Sequence, residues 1–200
     1  MPAAAAAAAV PRDPGVPVAA AGPSALRVGV VVWLASELMF FGGLFAGYFT
    51  LRANATGPWP PDGAEIGFVR PLVFTLVLVS SSFTMHGAVR AAEHGQRANA
   101  IRWLAVTLTL GAVFVANQAV EYVQLPFSIR TDAYGSIFFL MTGFHGLHVI
   151  GGLVLMVVVA GVVAGSSRAP VGPIVDVTSY YWHFVDVVWI ALFTTIYVIR

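Results

Sequence analysis

Apolar residues run along this chain in five long blocks rather than at helical or strand spacing, covering approximately 26–51, 69–91, 99–122, 135–164 and 174–198. Each block is long enough to cross a hydrocarbon core of about 30 Å as a helix rising about 1.5 Å per residue. Helices satisfy their own backbone hydrogen bonds in lipid, whereas open strands cannot. The segments between the blocks hold helix-breaking residues: PWPPDGAE (Pro58–Glu65), LPFSIRTDAYG (Leu125–Gly135) and GSSRAPVGP (Gly165–Pro173), together with a short charged turn from Glu93 to Arg97. The pattern predicts an all-α membrane protein, a bundle of five transmembrane helices over residues 26–200. Residues 1–25, rich in Ala and Pro, read as a disordered tail with no cleavable signal, so the first apolar helix is expected to direct insertion.

Composition agrees. Apolar residues make up 58% of the 200 positions and charged residues only 10%, against about 25% charged in ordinary soluble domains. Ten Arg and no Lys stand against nine acidic residues, a net charge of +1 that gives no basic surface for nucleic acid. Cysteine is absent, which removes disulfides, thiolate metal sites, iron–sulfur clusters and Cys nucleophiles. With the N-terminus inside, the inner loops hold Arg12, Arg27, Arg90, Arg97, Arg102 and Arg168, and the outer ones Arg52, Arg70, Arg130 and Arg200. This modest bias predicts a cytoplasmic N-terminus.

Polar groups at membrane depth are costly and each asks for an explanation. Glu37 falls about 15 Å into the first helix and reads either as a proton-handling acid or as a packing hydrogen bond. Thr75, Ser82 and His86 share a face of the second helix and read as interhelical glue, with His86 near the wet inner end. Asn117, Glu121 and Gln124 are expected to pin an outer loop. His145 and His148 stand one turn apart, as do His183 and Asp186, and interhelical hydrogen bonding is favoured over metal ligation for the first pair. The second pair could meet directly as a charge-assisted bond. Gly43 and Gly47, and Gly161 and Gly165, form GxxxG spacings that let helices or lipid tails approach.

The strings SELMFFGG (Ser36–Gly43), EYVQLPFSIRTDAYGSIFF (Glu121–Phe139), TGFHGLHVIGG (Thr142–Gly152) and YYWHFVDVVWI (Tyr180–Ile190) resemble, in order, the signature segments of subunit III of haem–copper cytochrome oxidases. The resemblance covers residues 26–200 and is to the short, five-helix bacterial form. It implies an accessory subunit in the bacterial plasma membrane with no haem, copper or other metal of its own. Haem and copper would lie in partner subunits I and II, and electrons would come from a cytochrome c type donor. It also implies bound phospholipid, stabilisation of the catalytic subunit and support of proton uptake in a complex that reduces O2 and pumps protons. On this resemblance Glu37 matches the family's carbodiimide-reactive acid. His145, His148, His183 and Asp186 fall on polar signature positions with a structural role, and Gly43 and Gly47 on lipid or helix packing. Subunit III of a quinol oxidase, a small b-type cytochrome using His86, His145, His148 and His183, and a proton-coupled transporter are the alternatives.

Overall fold

The computed structural model describes residues 24–64, 66–165 and 170–199. The expected tail, apart from Ser24 and Ala25, lies outside the described residues, as do Glu65, Arg168 and Arg200. Five helices long and apolar enough to cross a membrane make up the fold: α1 (Ala25–Ala53), α2 (Val69–Glu93), α3 (Arg97–Gln124), α4 (Ala133–Ala164) and α5 (Gly172–Phe193). The last continues as a π-helical segment, Thr194–Ile199. The expected all-α five-span bundle is what forms, with no strand among the described residues.

Helix ends follow local chemistry. Ser24 caps α1 by accepting from Arg27 N at 3.4 Å, and Asp132 caps α4 by accepting from Gly135 N at 2.6 Å, each satisfying a donor that the helix leaves free. Pro173 stands in the first turn of α5, where its missing N–H costs nothing. The tight α2–α3 turn passes through Gly95 at φ 71°, a left-handed conformation that favours glycine.

α2 packs on α3 and α5, α3 on α4, and α4 on α5, while α1 packs on α4 and α5. α5 is therefore the centre. Its Trp182 is fully enclosed, and the indole lies against two glycines: a Cβ at Gly111 would stand 2.7 Å from Trp182 Cη2, and one at Gly152 would stand 2.9 Å from Cε3. Its N–H donates to Ser81 Oγ at 2.9 Å, so one side chain ties α5 to α2, α3 and α4. About two turns further on, Trp189 repeats the arrangement, donating to Thr75 Oγ1 at 2.9 Å. The GxxxG spacings behave differently. A Cβ at Gly43 or Gly161 would meet nothing within 4 Å, and one at Gly47 only Ile137 Cδ1 at 3.7 Å. The close helix approaches lie at Gly87, Gly111 and Gly152, where an indole and not a second backbone fills the gap.

Candidate functional site

α1 and α4 bring Glu37 and His148 together. Glu37 Oε2 lies 3.2 Å from His148 Nε2, with side chains 24% and 17% exposed. The other ring nitrogen, Nδ1, is 2.7 Å from the Phe144 carbonyl. A carbonyl only accepts, so Nδ1 carries a hydrogen and donates. The Nε2–Oε2 contact then needs one proton of its own, held either by the carboxyl or by the imidazole. In either arrangement the pair is neutral overall, which is how two ionisable groups coexist at membrane depth. The site is braced by aromatic rings. Phe41 packs edge-on to His148 at 5.0 Å, Tyr181 donates its hydroxyl to the His148 carbonyl at 2.9 Å, and Trp33 stacks on Tyr181 at 5.3 Å. Glu37 is thus anchored within the bundle on one side and reachable from the outer face of α1 on the other.

His145 stands one turn before His148 and meets a different fate. Its ring is fully buried, stacked on Trp189 at 4.9 Å and edge-on to Phe114 at 6.1 Å, and neither nitrogen has a hydrogen-bond partner. The expected interhelical hydrogen bond is absent here, because the positions one turn away across α3 and α5 are occupied by aromatic carbon.

A second cluster joins α2 to α5. His183 and Asp186 do not meet directly, in contrast to the pairing that their spacing suggested. Ser82 stands between them: its Oγ–H donates to Asp186 Oδ2, and the same oxygen lies 2.9 Å from His183 Nδ1. With its hydrogen committed to the carboxylate, the hydroxyl accepts from the imidazole N–H, giving a chain from His183 through Ser82 to Asp186. The partner helix supplies the link because side chains at i and i+3 on α5 both lean toward α2. Asp186 Oδ1 has no partner.

At the opposite end, Asn117 and Gln124 hold not a loop but the first turn of α2. Arg70 donates from Nε to Asn117 Oδ1 at 2.7 Å and from a terminal nitrogen to Gln124 Oε1 at 2.6 Å. Glu121 accepts from the Tyr197 hydroxyl of the π-helical segment at 3.1 Å. Arg70 and Tyr197 were not singled out in the sequence, and an Arg just before a proline gives no signal of the partners it will find. Among the described residues no group of three His, Asp or Glu side chains is placed to hold a metal ion.

The fold and these part-buried clusters define a multi-pass helical membrane protein whose polar groups meet in small clusters between helices. The family model for cytochrome c oxidase subunit III matches residues 18–200. The probable cytochrome c oxidase subunit 3 of Nocardia farcinica is 50% identical over 182 residues, covering 89% of this chain and 90% of the relative. The corresponding protein of Mycobacterium tuberculosis strain H37Rv gives the same identity and coverage, and the cytochrome c oxidase subunit 3 of Thermostichus vulcanus is 41% identical over 177 residues, 86% of each chain. The chain belongs to the cytochrome c oxidase subunit III family.

Proposed function

We propose that this chain is an accessory core subunit of an aerobic respiratory haem–copper cytochrome c oxidase. Membership of the family makes it part of an oxidase complex. In this reading it carries no redox centre, stabilises the catalytic subunit I beside subunit II, holds phospholipid against α1, and supports proton uptake through Glu37. The complex takes electrons from a cytochrome c type donor, with haem and copper in the partner subunits. The chain lies in a bacterial plasma membrane with its N-terminus cytoplasmic. In support of that orientation, the described arginines at the end where α1 begins are Arg27, Arg90, Arg97 and Arg102, against Arg52, Arg70 and Arg130 at the other.

The observation that carries the reading is the 3.2 Å contact between Glu37 on the exposed helix α1 and His148 on α4. A dyad that must keep one proton, braced from inside and open outside, can pass that proton on and recover it without placing net charge in lipid. His183, Ser82 and Asp186 form a structural polar link, and His145 a packing group; neither opens onto α1. The test is Glu37→Gln in the purified complex. Gln keeps size and hydrogen bonding but cannot ionise, so assembly is expected to survive while turnover slows or inactivation comes sooner. Unchanged turnover and lifetime would reduce Glu37 to packing.

A further inference from the structure

Ser82 ties His183 to Asp186 across the seam between α2 and α5, and its two hydrogen bonds fit two different sets of protons. With Asp186 ionised, His183 Nδ1–H donates to Ser82 Oγ, and Ser82 Oγ–H donates to Asp186 Oδ2. With one proton more, both bonds reverse: Asp186 Oδ2–H donates to Ser82 Oγ, Ser82 Oγ–H donates to His183 Nδ1, and the added hydrogen sits on His183 Nε2. We propose that His183, Ser82 and Asp186 form a proton-binding site, loaded at His183 from the side of the bundle where α1 begins and ending at Asp186. On loading, Nε2 gains a hydrogen, the Nδ1 hydrogen passes to Oγ, and the Oγ hydrogen passes to Oδ2. No bond between heavy atoms forms or breaks, and the three groups together go from one negative charge to none. The site is separate from the Glu37–His148 dyad and does not rest on the role given to it.

The first support is the shortage of donors at the acid. Asp186 is 4% exposed and its Oδ1 has no hydrogen-bond partner, which leaves Ser82 to serve the carboxyl. A carboxylate at membrane depth calls for several donors or a nearby cation. From α2 the facing titratable groups are His86 and Arg90, and Arg90 stands about 12 Å from Ser82 along the helix. α3 has no titratable side chain between Arg102 and Glu121. α4 offers His145, stacked against Trp189, and His148, engaged with Glu37 of α1. On α5 itself the nearest are Tyr180 and Tyr181, and Tyr181 donates to the His148 carbonyl. A His183 imidazolium beside an Asp186 carboxylate would separate charge where burial penalises it, so the neutral set is the one that fits the seam.

Access is the second. Ser82 and His183 line a groove of about 550 Å3 together with His86, Arg90 and Trp103. Ser82, His86 and Arg90 follow one another at four-residue spacing, so they form a polar strip down one face of α2. α2 ends at Glu93, which places Arg90 about 4.5 Å, His86 about 10 Å and Ser82 about 16 Å from that end. The strip therefore runs from the membrane surface to the middle of the span, with room for water beside it. His183 turns Nδ1 to Ser82, which leaves Nε2 as the atom that takes a proton from the groove.

The far end is closed, which makes this a site and not a path. Past Asp186, α5 presents the buried Trp189, Leu192 and Phe193, and α2 the buried Leu78 and Thr75. The Thr75 hydroxyl is spent, donating to the Pro71 carbonyl and accepting from Trp189 Nε1. The next acid in that direction, Glu121, bonds Tyr197, which lies about 16 Å beyond Asp186 along α5 and its π-helical extension. A proton that enters at His183 stops at Asp186 and leaves the way it came.

The test is infrared spectroscopy on the intact oxidase complex, its aspartate labelled with heavy carbon at the carboxyl, recorded as water is exchanged for D2O. Wild-type complex is expected to show a protonated-carboxyl band that responds to the label, shifts in D2O and is missing from Asp186→Asn. Ser82→Ala and His183→Phe are expected to keep the band and slow its exchange by on the order of 100-fold, the usual worth of a positioned proton carrier. Ser82→Thr, which keeps the hydroxyl, restores the wild-type rate. If Asp186→Asn fails to assemble, Asp186→Glu keeps the acid, and the band is expected to lose its response to the aspartate label. A carboxyl region unchanged in these Asp186 variants overturns the proposal, since Asp186 is then ionised. Exchange as fast in Ser82→Ala and His183→Phe as in wild type also overturns it, because the proton then arrives by another way. Glu37→Gln is expected to alter neither the band nor its exchange, so failure here leaves the turnover test of Glu37 standing on its own.

Discussion

α1 and α5 are both apolar spans, yet they sit in the bundle in opposite ways. Within the apolar stretch of α5, 56% of residues are buried inside this chain, against 6% in α1. The polar groups of α5 are answered from within: Trp182 by Ser81, Trp189 by Thr75, and His183 and Asp186 by Ser82. Those of α1 are few, and its one deep acid, Glu37, has a single internal partner and an open side. The helix is held at its ends instead. Arg27 reaches Asp176 at 2.8 Å at one end, and at the other Tyr48 and Arg52 donate to the Thr195 and Ile199 carbonyls at 3.4 and 3.2 Å. α5 thus builds the fold, while α1 presents a face to whatever surrounds it. In lipid, where burial of apolar surface between helices yields little, such a division rests on packing and on hydrogen bonds.

The largest expected effect breaks the α5 side. Trp182→Ala removes an indole enclosed by four helices and is expected to cost on the order of 3–5 kcal/mol, so the chain fails to accumulate in membranes; near-normal accumulation and thermal denaturation would contradict α5 as the centre. Ser82→Ala comes next. It deprives His183 and Asp186 of their link and should lower stability by about 1–3 kcal/mol, with Ser82→Thr restoring most of it in a detergent melting series. Gly43→Leu sharpens the α1 side: the position is open within the chain, so its own melting should shift by less than about 0.5 kcal/mol while retention in the complex during purification falls. Equal retention would mean that this face of α1 touches nothing that matters. The change with the least consequence for the complex is Arg27→Gln, which breaks a surface ion pair of the kind worth little and is visible only as a slight salt-dependent loss in melting temperature.

Much of this was legible in the sequence, because block hydrophobicity and helix-breaking loops determine span limits closely. The block at 174–198 became Gly172–Ile199, and that at 135–164 became Ala133–Ala164. Glu37 was visible as an outlier, but His148 as its partner was not, since the two are 111 positions apart and their meeting depends on how α1 and α4 are rotated. Rotation also separates His145 from His148. The two lie about 60° apart around α4, from about 3.6 residues per turn, enough to send one ring into Phe114 and Trp189 and the other to α1. The GxxxG spacings mark no close approach within this chain for a related reason. A small residue marks a close approach only if something large arrives opposite, and Trp182 arrives at Gly111 and Gly152.

The account holds that this chain shapes and supplies an oxidase whose electrons travel elsewhere. The most direct measurement is to purify the complex through a tag on this chain, separate the chain from its partners in detergent, and record reduced-minus-oxidised spectra of both fractions. The account predicts haem absorbance in the partner fraction and none in the fraction holding this chain. Haem that stays in fixed proportion with the isolated chain would contradict it.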